Sequence, residues 1–217
     1  VMIGALMFLG CPLRMILRLG GGDLNALFGI AGFAGGIGFG TIFLKRGYSL
    51  QRTYALSKLE SAMMPAIQVA LLVLVVTAPA FIFFSQKGPG AMHAPWLISL
   101  AAGLVVGGLS QFSRLCTVGG FRDLFLFKKS ILIFGYLAVL VGVFVVNISF
   151  GNFHLGFENQ PIAHTDGLWN FLGMALAGFC SVLLGGCPLR QLIMTGEGNS
   201  DSAVTVLGLA AGAAFAH

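Results

Sequence analysis

Long apolar stretches separated by short polar segments dominate this chain. Six of the stretches approach or exceed the roughly 20 residues that cross a bilayer as a helix, and a seventh is shorter. None has the two-residue alternation of a membrane β-barrel, so each is predicted to be helical. The stretches are 1–19, 24–44, 64–85, 96–115, 130–149, 168–195 and 202–216. The pattern predicts an all-α integral membrane protein, a helical bundle in a single transmembrane domain over residues 1–217.

Glycine and proline interrupt three of these stretches. Cys11-Pro12 breaks the first, Gly107-Gly108 the fourth, and the sequence 185–188, which contains Cys187, the sixth. Non-helical backbone inside a membrane is tolerated only where protein or a cavity satisfies the freed N–H and C=O groups. We therefore expect broken helices at mid-membrane that face the interior of the bundle.

Basic residues in the loops predict the orientation. Loops 45–63 and 110–129 each contain four Lys or Arg residues, loop 86–95 contains only Lys87, and loop 150–167 contains none. The positive-inside bias places the two basic loops in the cytoplasm. We expect a multi-pass protein of a bacterial inner membrane.

One pentapeptide occurs twice. Gly10-Cys11-Pro12-Leu13-Arg14 returns unchanged at 186–190, and the predicted orientation sends the two copies across the membrane in opposite directions. The elements 1–44 and 168–216 are therefore predicted to form an inverted repeat. Because the chain opens directly into an apolar stretch, we expect it to be incomplete at the N-terminus.

Composition agrees with a membrane protein. Hydrophobic residues make up 57% of the chain and charged residues 9%, whereas soluble domains carry roughly 25% charge. Glycine is abundant, and we interpret its run at 32–40 as helix packing rather than a nucleotide site. The net charge of +5 is too sparse for a nucleic-acid surface and indicates a bias toward anions.

The pentapeptide combines three groups that attract an anion. Proline suits the first turn of a helix, so Cys11 and Cys187 are predicted to cap helices beside unpaired N–H groups and the positive end of the dipole. Arg14 and Arg190 follow one turn later on the same face. The alternative is that the cysteines fill space and the arginines bind carbonyl or carboxylate groups. Arginine inside a membrane favours function.

A third candidate site surrounds Cys116. Arg114, Arg122 and Asp123 are interpreted either as the edge of a pore or as a basic cytoplasmic loop with an internal Arg–Asp pair. Cys116 is predicted to be functional because of these neighbours. Cys180 is predicted to be a packing residue.

Other chemistries lack their motifs. The chain has no C-x-x-C for a dithiol or zinc site and no P-loop for ATP. Haem in a membrane needs histidines within the spans, but His93, His154, His164 and His217 fall in loops or at the terminus. No general base stands near the cysteines, which argues against nucleophilic catalysis. We expect no cofactor, no metal and no enzymatic activity.

With both pentapeptides and the sequence from Arg114-Leu115-Cys116 to Gly120-Phe121-Arg122-Asp123, the chain resembles the YeeE/YedE family of bacterial inner-membrane proteins. Residues 2–27 are most similar to the YedE-like branch associated with selenium metabolism. The resemblance implies uptake of thiosulfate or a related anion through an hourglass of inverted halves. It also implies that Cys11, Cys116 and Cys187 lie along the path.

Two functions follow as expectations. The first is membrane transport of a small sulfur- or selenium-containing anion through a cysteine-lined path, with the three cysteines, Arg14 and Arg190 binding the substrate. The second is a membrane anchor or subunit that passes sulfur or selenium to a cytosolic carrier protein. The partners expected are a small anion and the lipid bilayer, with the carrier protein added in the second case and nucleic acid excluded in both.

Overall fold

The computed structural model describes residues 1–48, 58–77, 91 and 94–216, and its regular elements in those ranges are helices. The helices are α1 (Met2–Phe8), α2 (Pro12–Gly20), α3 (Asn25–Lys45), α4 (Lys58–Thr77), α5 (Trp96–Phe112), α6 (Thr117–Phe127), α7 (Ile131–Ser149), α8 (Gly167–Leu183), α9 (Pro188–Gly196) and α10 (Ser200–Ala216). Among the described residues, five stretches are long and apolar enough to cross a membrane. The prediction of an all-α membrane protein is confirmed.

Some predicted features fall outside the described ranges. The apolar stretch 64–85 is helical as far as Thr77, and its remainder lies outside the described residues. The same holds for the loop cations Arg52 and Lys87 and for His93 and His217.

Helices α3 and α8 pack together at the centre of the described bundle because glycines remove side chains from their contact. A Cβ atom on Gly32 would collide with the carbonyl group of Phe171, and one on Gly36 with the carbonyl group of Ala175. Small residues at such contacts let two backbones approach closely inside lipid. The interpretation of 32–40 as a packing surface is confirmed.

Helix α1 packs against α8 in the opposite direction. Met2 and Ile3 line a pocket together with Leu184 just after α8, whereas the carbonyl of Met7 lies 2.7 Å from the Nε2 atom of His164 just before α8. The two helices that lead into the pentapeptides therefore run antiparallel, as an inverted arrangement requires. The repeat of elements 1–44 and 168–216 itself remains a prediction.

The loop between α7 and α8 covers the turn between α2 and α3. The N–H of His154 donates to the carbonyl of Gly21 over 2.9 Å, and the N–H of Leu24 donates to the carbonyl of Gly156 over 3.1 Å. Both segments therefore lie at one end of the bundle. The orientation predicted from the loop charges likewise places both segments on the same side of the membrane, the outer side.

The predicted break at Gly107-Gly108 is wrong. Helix α5 continues through both glycines to Phe112, and a Cβ atom at either would meet nothing within 4 Å. Glycine costs only about 1 kcal/mol inside a helix, which the surrounding helical hydrogen bonds offset. The chain breaks instead at 113–116, where Arg114 adopts the left-handed conformation with φ of 51°.

Candidate functional site

Each of the three candidate cysteines caps the start of a helix. Cys11 precedes α2, Cys116 precedes α6, and Cys187 precedes α9, all in extended conformation. The predicted caps at Cys11 and Cys187 are confirmed. No proline follows Cys116, so the sequence did not indicate a cap there. Of the three cysteines, Cys116 is the one whose Sγ atom accepts a backbone N–H, from Gly119 over 3.4 Å.

The three breaks share one backbone geometry. The residue two positions before each cysteine is left-handed, with φ of 59° at Leu9, 51° at Arg114 and 82° at Gly185. The N–H of the following residue donates to the carbonyl five residues earlier. These bonds join Gly10 to Ala5 over 2.8 Å, Leu115 to Ser110 over 3.0 Å, and Gly186 to Ser181 over 3.1 Å. This pattern is a Schellman helix end. Each cysteine thus joins a closed helix end to a new helix start within two residues.

A side chain from the following helix satisfies a freed carbonyl at two of the breaks. Phe8 and Leu184 both lie three residues before their cysteines. The Arg18 Nη1 atom donates to the Phe8 carbonyl over 2.7 Å, and the Gln191 Nε2 atom donates to the Leu184 carbonyl over 3.3 Å. These bonds supply the compensation that broken membrane helices need.

Arg18 is the main brace of the first break, a role that sequence reasoning did not give it. Its Nε atom donates to Asp23 Oδ2 over 2.6 Å, and the two side chains are 5% and 3% exposed. Its guanidinium carbon lies 4.2 Å from the ring centroid of Phe8. In the second copy Met194 and Asn199 occupy the equivalent positions, so this buried ion pair belongs to the first copy alone.

Acidic and amide side chains in the turns after the two pentapeptides start the next helices. Asp23 Oδ1 accepts the backbone N–H of Asn25 over 2.9 Å at the start of α3. Asn199 Oδ1 accepts the backbone N–H of Ser202 over 3.0 Å at the start of α10. Both contacts satisfy N–H groups that have no partner within the helix.

Two of the three candidate cysteines are in contact. The Cys116 Sγ atom lies 4.0 Å from that of Cys187, with the Cys116 thiol placed to donate. Cys187 is 2% exposed within the hydrophobic core, whereas Cys116 is half-buried at its edge. Both are free thiols, as are Cys11 and Cys180. The contact joins the starts of α6 and α9, which are separated by 71 residues in the sequence.

Tyr136 connects this pair to the first break. Its hydroxyl group donates to the carbonyl of Pro12 over 2.8 Å, and the residue is 7% exposed. Its ring centroid lies 6.4 Å from that of Phe121 on α6, the helix that Cys116 caps. Sequence reasoning missed Tyr136, although a hydroxyl group inside an apolar span is itself a signal.

The two pentapeptide arginines have different surroundings. The Arg190 Nη1 atom donates to the Gln111 side-chain oxygen over 2.7 Å. The buried Nε atom of Arg14 has no hydrogen-bond partner in the described part of the chain. Neither side chain has a carboxylate partner there. Gln111 is a second residue that sequence reasoning missed, because nothing in its own helix marks it.

Arg14 lines a cavity of about 500 Å³ at the end of the bundle covered by the α7–α8 loop. Arginine and amide side chains dominate its polar lining, including Arg14, Arg18, Asn147, Asn152 and Gln160. Asp23 also lines it, but its carboxylate is paired with Arg18. The cavity is therefore suited to an anion, and the three cysteines lie beyond its lining.

The internal Arg–Asp pair of the second interpretation is present near Cys116, whereas the position of this segment at a pore or in the cytoplasm remains a prediction. Arg122 donates through Nε and Nη2 to Asp123 Oδ1 over 3.0 and 2.9 Å, forming an ion pair about one-third exposed. Arg114 is exposed. Cys180 lies half-buried on α8. Within the described residues, no three His, Cys, Asp or Glu side chains come together as a metal site would need.

Comparison with known proteins adds one match. Residues 112–217, which contain two of the three cysteine breaks, match the family model described as sulphur transport. No curated protein and no solved structure matches the chain. The match supports the resemblance to the YeeE/YedE family and suggests a membrane transporter of sulfur compounds. The relation to the selenium-associated branch remains a prediction.

Proposed function

We propose that the chain transports a small sulfur- or selenium-containing anion of the thiosulfate type across a bacterial inner membrane. The observation that carries this proposal is the meeting of Cys116 and Cys187 at two helix starts, with Sγ atoms 4.0 Å apart. Two helix N-termini direct partial positive charge toward the same place. Such a place attracts an anion, and the guanidinium group of Arg190 lies one turn beyond Cys187 on α9.

The cavity beside Arg14 is the proposed entrance. A dianion entering it meets the guanidinium group of Arg14, which has no carboxylate partner among the described residues, and several amide groups. Arg14 lies three residues beyond Cys11, so an anion held there is within one helical turn of the first thiol. From that point Tyr136 links the Cys11 break to α6, because its hydroxyl group donates to the Pro12 carbonyl and its ring packs against Phe121.

Thiols are suited to a soft anion. Sulfur is a weak donor and a weak acceptor, so a thiol can contact the terminal sulfur or selenium of the substrate and release it again. Conduction needs sites that admit an ion without retaining it. Because Cys187 is 2% exposed, neighbouring side chains must move before an anion reaches it. We propose that this pair is the closed gate of the path.

Replacing each pentapeptide arginine by lysine tests whether it binds the anion. Arg14→Lys and Arg190→Lys keep the charge but lose the planar fork. We expect each to lower thiosulfate flux in proteoliposomes about tenfold, the equivalent of one charge-assisted hydrogen bond of about 1.4 kcal/mol. Thermal stability should stay near that of the wild type.

The control is Arg122→Lys, at an arginine that is about one-third exposed and paired with Asp123; this variant should keep normal flux. If Arg14→Lys or Arg190→Lys instead lowers thermal stability while the surviving protein transports normally, that arginine braces the break and does not bind the substrate.

A further inference from the structure

The Cys116 and Cys187 thiols are arranged so that they can become covalently linked. Their Sγ atoms are 4.0 Å apart, and a disulfide bond holds the atoms about 2 Å apart. An approach of about 2 Å is within reach of side-chain rotation when neither sulfur is firmly held. Cys187 makes no side-chain cap bond with its own helix, and Cys116 accepts a single N–H over 3.4 Å.

The backbone at both cysteines also permits this movement. Each residue occupies an extended cap position between two helices rather than a place inside one. The segment before Cys187 contains Gly185 and Gly186, and a Cβ atom on Gly185 would meet nothing within 4 Å. Each cap accepts one helical N–H, Cys116 from Gly120 and Cys187 from Gln191, both over 3.0 Å, so a displacement of a cap affects only the first turn of its helix.

The difference in exposure sets the order of reaction with a small oxidant. Cys116 is half-buried and Cys187 is 2% exposed, so a peroxide reaches Cys116 first. The Cys116 thiol is oxidised to a sulfenic acid and the peroxide is reduced to water. The Cys187 sulfur then attacks the Cys116 sulfur, the disulfide forms, and a second water leaves. The two thiols lose two protons and two electrons, and one hydrogen peroxide accepts them.

We propose that Cys116 and Cys187 form a reversible, peroxide-sensitive disulfide bond that closes the transport path. The formation of the bond stands on the geometry of the pair, and its effect on flux rests on the proposed function. A disulfide has no S–H donor to offer an anion. It also ties the start of α6 to the start of α9, so the gate that must open for passage is locked. Dithiothreitol reverses the change by thiol–disulfide exchange.

The test uses the full chain reconstituted in liposomes and treated with hydrogen peroxide. Free thiols are then alkylated, and peptides are identified by mass spectrometry without reduction. We expect one linked peptide pair joining Cys116 to Cys187, with Cys11 and Cys180 alkylated. Thiosulfate flux should fall to the level of protein-free liposomes and return after dithiothreitol. The control Cys180→Ser should give the same linked pair and the same response.

Other results overturn the inference. A link between Cys116 and Cys11, or a sulfinic acid at Cys116 with Cys187 still alkylated, contradicts the proposed pair. A complete Cys116–Cys187 link with unchanged flux contradicts the switch. If the untreated protein carries no flux, the proposed function is contradicted, and with it the proposal that the disulfide closes a transport path. The linked peptide pair still decides whether the disulfide forms.

Discussion

Replacing Cys187 or Cys116 by serine is expected to remove most of the anion flux while the fold survives. Serine is among the preferred residues at helix N-caps, and both cysteines occupy such caps. The helix starts should therefore be as stable as in the wild type, or slightly more stable. The hydroxyl group is a stronger hydrogen-bonding partner than a thiol and lacks its soft sulfur, so it offers less to a sulfur or selenium atom.

The flux is expected to fall about tenfold for every 1.4 kcal/mol of binding free energy that the passing anion loses. Thiosulfate uptake would be measured in cells that lack their own route, with the amount of folded protein in the membrane determined in parallel. Cys180→Ser, on α8 and away from the helix starts, is the matched control and should transport normally. Unchanged uptake in both Cys116→Ser and Cys187→Ser would contradict this prediction, and unchanged uptake in Cys11→Ser as well would exclude a relay through the thiols.

The second large effect is expected at the buried ion pair of the first break. Arg18→Met leaves the Asp23 carboxylate, 3% exposed in the native protein, without its cation and the Phe8 carbonyl without its donor. Breaking a buried pair by removing one partner typically costs about 3–5 kcal/mol. We expect the thermal stability of the purified protein in detergent to fall sharply.

The second copy of the motif suggests the compensating change. Met194 and Asn199 stand where the first copy has Arg18 and Asp23. The double variant Arg18→Met with Asp23→Asn removes the unpaired charge, and the asparagine oxygen can still accept the N–H of Asn25. It should recover a large part of the lost stability. A single variant as stable as the wild type, or a double variant no better than the single one, would show that the ion pair does not brace the break.

Local sequence signals predicted the first and third breaks well. The combination of glycine, cysteine and proline specifies a helix end, a cap and a new first turn, and these features depend only on residues close together in the chain. The polar turns around Asp23 and Asn199 were predictable for the same reason, because a capping side chain reaches only its own helix start.

The second break was misplaced because its sequence is unusual. Two glycines at 107–108 indicate a break, yet they remain helical on an open face. The real break uses Arg114 in a conformation for which glycine is preferred, and no proline follows Cys116. Only the comparison of three backbone geometries reveals that this break is of the same kind as the other two.

The contacts that assemble the site could not be predicted from the sequence. Arg190 binds Gln111 across 79 residues, and the Tyr136 hydroxyl binds Pro12 across 124. Such pairs depend on how helices pack, and nothing local in a single sequence encodes that packing. The pairing of Asp23 with Arg18 rather than Arg14 depends on the exact end of α2, and helix ends are the least predictable feature of a pattern.

Flux through the purified protein is the most direct test of transport. The wild-type chain would be reconstituted in liposomes. Thiosulfate, a selenium analogue of thiosulfate, and sulfate as a hard-oxygen control would then be added outside the liposomes in turn, and uptake would be measured. We expect thiosulfate or its selenium analogue to accumulate faster than sulfate and well above protein-free liposomes. If a folded protein moves none of these anions, and instead binds a cytosolic sulfur carrier protein without substrate, the chain is a membrane anchor and the transport account is contradicted.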